Sequence, residues 1–151
     1  MEVIEQQQAT PREKVERLER ILERFAQAEC PVQHHFGPGV YLRTMIIPAG
    51  TFATGAVHKT EHLTIVAGHC LLTTDEGPRE FIGYETFLSK PGAKRAIHAI
   101  ETTIVTTVHV TDERDPDKLV ELLTESKAEE LLGGSKNRQA LIQRGELEAL
   151  Q

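Results

Sequence analysis

Apolar residues in this chain follow two periods, and the switch between them divides it into three stretches. In the first, Val15, Leu18, Leu22 and Phe25 recur at intervals of three, four and three, and Ile21 widens the stripe. Glu16, Arg17, Glu19, Arg20, Glu23 and Arg24 fill the remaining faces, the pattern of an amphipathic helix with one side covered. Thr10-Pro11-Arg12-Glu13 supplies its start: an N-cap hydroxyl, a proline where no amide hydrogen is needed, and a glutamate three residues on that can answer the cap's own amide. The spacing predicts a helix from about Pro11 to Ala28, with too few heptads for a coiled-coil seam.

From Val40 to Val110 the period falls to two and β-branched residues multiply. Eight short strands are predicted: Val40 to Ile47, Phe52 to His58, His62 to Val66, Cys70 to Thr74, Arg79 to Ile82, Thr86 to Ser89, Arg95 to Ile100 and Thr103 to Val110. Pro48-Ala49-Gly50, Asp75-Glu76-Gly77-Pro78 and Lys90-Pro91-Gly92 are turn chemistry between them. So many strands with no intervening helix indicate an antiparallel sandwich or barrel of the jelly-roll kind. After Asp112 the helical period returns. Asp115-Pro116 is a second cap, Leu119, Val120, Leu122 and Leu123 a second stripe, and Gly133-Gly134-Ser135-Lys136 a helix stop and start, without the preceding strand of a phosphate loop. Leu141, Ile142, Leu147 and Leu150 leave the terminal run sticky. The expected organisation is therefore an N-terminal helical extension over 1–31, a β-barrel over 32–112 and a helical C-terminal extension over 113–151.

Composition narrows the function. Seventeen Lys plus Arg against twenty-three Asp plus Glu give a net charge of -6, which disfavours nucleic acid and anionic membrane as partners. No signal-peptide pattern or membrane-spanning apolar run is apparent, and Cys30 and Cys70 are read as two reduced thiols, so a cytoplasmic location, in a host cell or a virion, is the expectation. Histidine is the informative residue: His34, His35, His58, His62, His69, His98 and His109 all lie in or beside the β region. His58 and His62 share a strand face but would sit about 13 Å apart on extended chain, so a shared site requires a bend near Thr60-Glu61. His34 and His35 are expected in a loop entering a strand, and His69 at a hairpin facing solvent. Cys70 lacks a base on its own face, and no paired carboxylates are placed for acid–base work.

Here a family resemblance becomes specific. Gly50, five residues, Ala56-Val57-His58, three residues, His62, then Gly68 resembles the first motif of cupins, and Gly83 followed by Pro91-Gly92-Ala93-Lys94-Arg95 resembles the second. More narrowly, His34-His35-Phe36, Ile47-Pro48-Ala49-Gly50-Thr51 and His58-Lys59-Thr60-Glu61-His62-Leu63 are similar to small cupin-like proteins encoded by tailed bacteriophages. The resemblance implies an all-β cupin-like jelly roll with helices outside it. It also implies a metal held by four side chains, whose positions here are Ala56, His58, His62 and Arg95. Only two of these can ligate, and a guanidinium about 5 Å from a divalent ion costs on the order of 6 kcal/mol at an effective dielectric near 20. His109 on the last strand, with Glu61, His98 or His35 as further candidates, could rebuild the set with His58 and His62 for a divalent transition metal. Arg95, with Tyr84 or Tyr41 nearby, is the candidate for an anionic ligand.

Two functions are expected from this reading. The first is a non-enzymatic phage-type protein, a virion, assembly or host-interaction component acting through a homo-oligomer, most simply a dimer. The alternative is a metal-dependent small-molecule enzyme of isomerase or dioxygenase type, with His58 and His62 as ligands and Arg95 orienting the substrate.

Overall fold

The structure is a computed structural model and describes residues 8–127. Helix α1 (Pro11–Leu22) opens with the expected capping box: the Glu13 amide donates to Thr10 Oγ1 at 3.2 Å and the Thr10 amide to Glu13 Oε2 at 3.1 Å. It ends six residues short of Ala28. The amide side chain of Gln27 folds back to the carbonyls of Leu22 and Phe25, at 3.0 and 2.9 Å, and so answers acceptors that further helix would have used. Cover is limited to the front of the stripe, since Val15 is buried while Ile21 and Phe25 are exposed. Glu19 fastens the helix to the barrel, accepting from Thr54 Oγ1 at 2.6 Å and pairing with Lys94 Nζ at 3.0 Å.

Seven strands follow: β1 (Val32–Gly37), β2 (Val40–Ile47), β3 (Phe52–Thr54), β4 (His62–Thr74), β5 (Gly77–Ser89), β6 (Ala96–Ala99) and β7 (Thr103–Val110). All pairings are antiparallel, in the order β1-β2-β7-β4-β6-β3, with β5 on the other side of β4. This is the all-β, cupin-like jelly roll expected, a curled sheet forming a half-barrel, with α1 ahead of it and α2 (Pro116–Leu123) after it. The strand count differs from expectation for two physical reasons. Gly68 and Gly83 do not end strands; they face each other at the middle of a continuous thirteen-residue pair. Segment 32–37, expected as loop, pairs along its whole length with β2 and carries His34 and His35 into the sheet.

Gly68 shows why one strand can serve two layers. Its φ of 143° and a built Cβ only 2.7 Å from Thr102 O and 2.8 Å from Thr103 Cα admit no side chain. Before it, residues 63–67 of β4 pair with β7; after it, residues 70–72 pair with β6. The interior is built in rows across β2, β7, β4 and β5. Met45, Val105 and Val66 form one row in mutual register, and Ile47 with Thr103 lies next to it. These meet Cys70, Leu72, Phe81, Ile97 and Ala99 in an apolar core. Both cysteines are free thiols.

Helix α2 starts where Asp115 Oδ1 accepts from the Asp117 amide at 2.9 Å, and it buries Leu119 and Leu123 against Tyr41 and Phe36. Backbone bonds from Lys59 N to Leu123 O (2.8 Å) and from Glu125 N to Val57 O (2.9 Å) tie its end to the segment carrying His58. Among the described residues no helix is long and apolar enough to cross a membrane. Gly133-Gly134-Ser135-Lys136 and the run from Leu141 to Leu150 lie outside the described residues.

Candidate functional site

The rows toward the α2 end of the barrel are polar. Tyr41 is opposite His109, Arg43 opposite Thr107, Thr107 opposite Thr64, and His62 opposite Ser89. His58 joins them because the chain leaves β3 at Thr54 and does not resume a strand until His62, which is the bend the spacing required. The ring centroids are 4.3 Å apart for His58 and His62, 4.7 Å for His62 and His109 and 5.8 Å for His58 and His109. Tyr41 lies 5.9 Å beyond His109, and its hydroxyl is 2.6 Å from Nδ1 of His34. His62 Nδ1 donates to Thr60 O at 3.0 Å, which leaves Nε2 as an acceptor. His109 Nε2 is 2.9 Å from Thr107 Oγ1, while its Nδ1 is buried with no partner among the described residues.

The three imidazoles are held neutral. Burial pushes His58 down to about 3, with the neighbouring His62, His109, Arg43 and Arg95 adding to the effect. Burial likewise lowers His109 to about 4, helped by His62 and Arg43. For His62, burial and Arg95 outweigh the Thr60 hydrogen bond, and the shift is again downward. The charges acting on these rings are imidazoles and guanidiniums; no carboxylate is among them.

Of the sequence candidates, His58, His62 and His109 therefore converge, and Arg95 approaches them. The Arg95 guanidinium is already engaged, donating to Thr73 O at 2.9 Å and lying 5.3 Å over the Phe87 ring. Tyr84 is not part of the group: it is on β5 opposite Ala67, 70% exposed on the outer face. His69 is not at a hairpin but within β4, with Nε2 2.6 Å from Glu80, and His98 stacks on Phe52 on the outside. The residue missed by sequence reading is Arg43. Its parity with Tyr41 and Met45 turns it inward, a signal present in the alternation of β2 but obscured because a lone arginine in a strand reads as solvated.

The implied metal can be tested against this arrangement. Among the described residues no set of three His, Cys, Asp or Glu side chains is arranged to hold an ion. The cupin resemblance puts two further ligands at Ala56 and Arg95, neither of which can ligate, and Arg43 and Arg95 both act on the His58 ring. The residues present do not fit a resident divalent metal.

No family model matches this sequence, and no curated protein matches it. Solved structures do. A cupin superfamily protein from Desulfitobacterium hafniense is 11% identical, with 56% of this chain and 79% of that chain covered at a TM-score of 0.46. A cupin domain from Bordetella pertussis is 13% identical over 58% of this chain and 98% of that one, at 0.45. The cupin domain of a transcriptional regulator from Enterobacter cloacae is 12% identical over 54% and 97%, at 0.45. Each of these three is described as a cupin protein or cupin domain.

Proposed function

We propose that this chain is a ligand-binding barrel that takes a small polar molecule at the His58, His62 and His109 end by hydrogen bonding, without metal catalysis. The observation that carries the reading is the buried Nδ1 of His109, without a partner among the described residues, beside two neutral imidazoles. A buried polar atom left unpaired costs about 1–3 kcal/mol, and a ligand atom at that position would recover it. Thermal-shift screening with neutral and charged small molecules tests this, with a ligand-induced rise in Tm that is lost in His109→Phe. Stoichiometric iron, manganese, nickel or zinc in protein purified without chelator, lost in the His58→Ala, His62→Ala double variant, would overturn it in favour of the metal-dependent enzyme.

A second reading, the homodimer, rests on the outer face. Leu63, Ile82, Tyr84, Leu88 and Ile104 are 41–73% exposed there, and register sets Leu63 against Leu88 and Ala67 against both Tyr84 and Ile104. β5, which pairs only with β4 among the described strands, offers a free edge beside this surface, and two-fold pairing with a second copy would cover both. The α1 stripe is the poorer candidate for this contact, since Leu18 and Leu22 are already half-buried. Light scattering should give twice 16.9 kDa, falling to the monomer in Ile82→Glu, Tyr84→Glu but not in Leu18→Glu, Leu22→Glu. A virion, assembly or host-interaction role has the phage resemblance as its support, and this face is the surface such a role would use.

A further inference from the structure

The segment that carries His58, between β3 and β4, is held by backbone bonds to two neighbours. One is the loop 90–95 between β5 and β6. The Gly55 amide donates to Arg95 O at 3.0 Å, the Gly92 amide to His58 O at 2.8 Å and the His58 amide to Ala93 O at 3.4 Å. The other neighbour follows α2, where the Glu125 amide donates to Val57 O at 2.9 Å. Helix α1 grips both. Lys94 stands between Ala93 and Arg95, the two residues whose carbonyls receive His58 and Gly55; its side chain is only 9% exposed, and its Nζ lies 3.0 Å from Oε2 of Glu19. The same glutamate oxygen accepts from Thr54 Oγ1, at the end of β3 where the segment begins. On the other side Arg12 pairs with Glu125 at 3.0 Å and with Glu16 on its own helix.

Apolar contact holds α1 only at the front of its stripe: Val15 is buried, Leu18 and Leu22 are half-buried, and Ile21 and Phe25 are exposed. A helix of twelve residues is marginal by itself, so these polar links decide where it sits. They also act in the opposite direction. An ammonium almost withdrawn from water needs its carboxylate, and without Glu19 the loop 90–95 must shift to let Lys94 reach solvent. His58 is bonded to that loop through both its amide and its carbonyl, so a shift there is passed to the imidazole. We infer that Glu19 is a positioning residue of the histidine site, acting through Lys94 and the loop 90–95. Arg12, acting through Glu125, is the weaker hold, because both side chains of that pair are about half exposed. The effect on ligand affinity rests on the ligand-binding reading above; the effect on His58 does not.

NMR spectroscopy of the full chain, with the imidazole signals of His58 and His98 and the amide of Gly92 assigned, tests it. In Glu19→Gln the His58 ring signals should shift or broaden and hydrogen exchange at the Gly92 amide should quicken tenfold or more. His98, stacked on Phe52 outside the barrel, should be unchanged. Arg12→Gln should move the same signals by a smaller amount. Adding Lys94→Met to Glu19→Gln removes the charge that needs a partner and should return both readouts toward those of the unaltered protein, a rescue that a merely structural glutamate on α1 would not show. Unaltered His58 signals and Gly92 exchange in Glu19→Gln overturn the inference, as does a double variant no closer to the unaltered protein than the single one. Absence of a thermal shift with every compound of the panel above removes the ligand-binding reading and leaves the positioning of His58, which the ring signals report directly.

Discussion

The two ends of the barrel are made from the same strands and differ in almost everything else. β2 runs from Tyr41 and Arg43 to Met45 and Ile47, β4 from His62 and Thr64 to Val66, Cys70 and Leu72, and β7 from Val105 to Thr107 and His109. Because the three strands are in register, each changes character at the same level: Arg43, Thr107 and Thr64 form the last polar row and Met45, Val105 and Val66 the first apolar one. One end spends its burial on contact between carbon atoms, which stabilises the fold; the other buries imidazoles, which does not. That difference is what the proposed ligand at the histidine end would offset.

Breaking the apolar end should produce the largest loss. Phe81 is 2% exposed within the core and also packs 5.8 Å from Phe87. Phe81→Ala removes the transfer energy of a ring and leaves a cavity, a cost of about 3–5 kcal/mol, read by urea denaturation. Ligand affinity, measured where the variant is still folded, should change far less than in His109→Phe, since the two ends share a sheet but no side-chain contact is needed between them for binding. Comparable losses of affinity in both variants would show that the ends are not separable.

Acid should act on the polar end through its histidines. In the unfolded chain a histidine takes its proton near pH 6.5, whereas in the fold His58 does so at about 3 and His109 at about 4. Between those values the unfolded state binds more protons, so stability is complete above about pH 6.5 and declines as pH falls toward 3. Each unit of separation is worth at most about 1.4 kcal/mol per histidine. Chemical denaturation at pH 7.5, 6, 5 and 4 should show this decline, and His58→Gln, His109→Gln should flatten it; an unaltered slope in that variant would place the acid-sensitive groups elsewhere.

Much of this difference was legible in the sequence. Thr10 and Asp115 fixed the helix starts through local chemistry that owes nothing to the rest of the fold, and His58, His62 and His109 stood out by type and spacing. What escaped depended on tertiary context. The glycines at 68 and 83 read as breaks because local propensity cannot distinguish a strand end from a bend that lets one strand change partners. The strand at Val32–Gly37 is polar and held by its pairing with β2, and the inward turn of Arg43 follows from the register of β2 with β1 and β7.

The smallest effect should come from the boundary between the two ends. Thr64 and Ser89 are both buried and share a hydrogen bond of 2.9 Å, sealing the polar row just above the apolar one. Thr64→Val keeps the shape but strands the serine hydroxyl, and Ser89→Ala strands the threonine, so each should cost about 1–3 kcal/mol. The double variant leaves no hydroxyl in want of a partner and should lie within about 1 kcal/mol of the unaltered protein, a coupling that a double-mutant cycle in urea measures directly. If the losses instead add, each hydroxyl has a separate partner in solution, such as water or ligand reaching down from the histidine end, and the polar region extends one row deeper than the dry boundary drawn by Thr64 and Ser89.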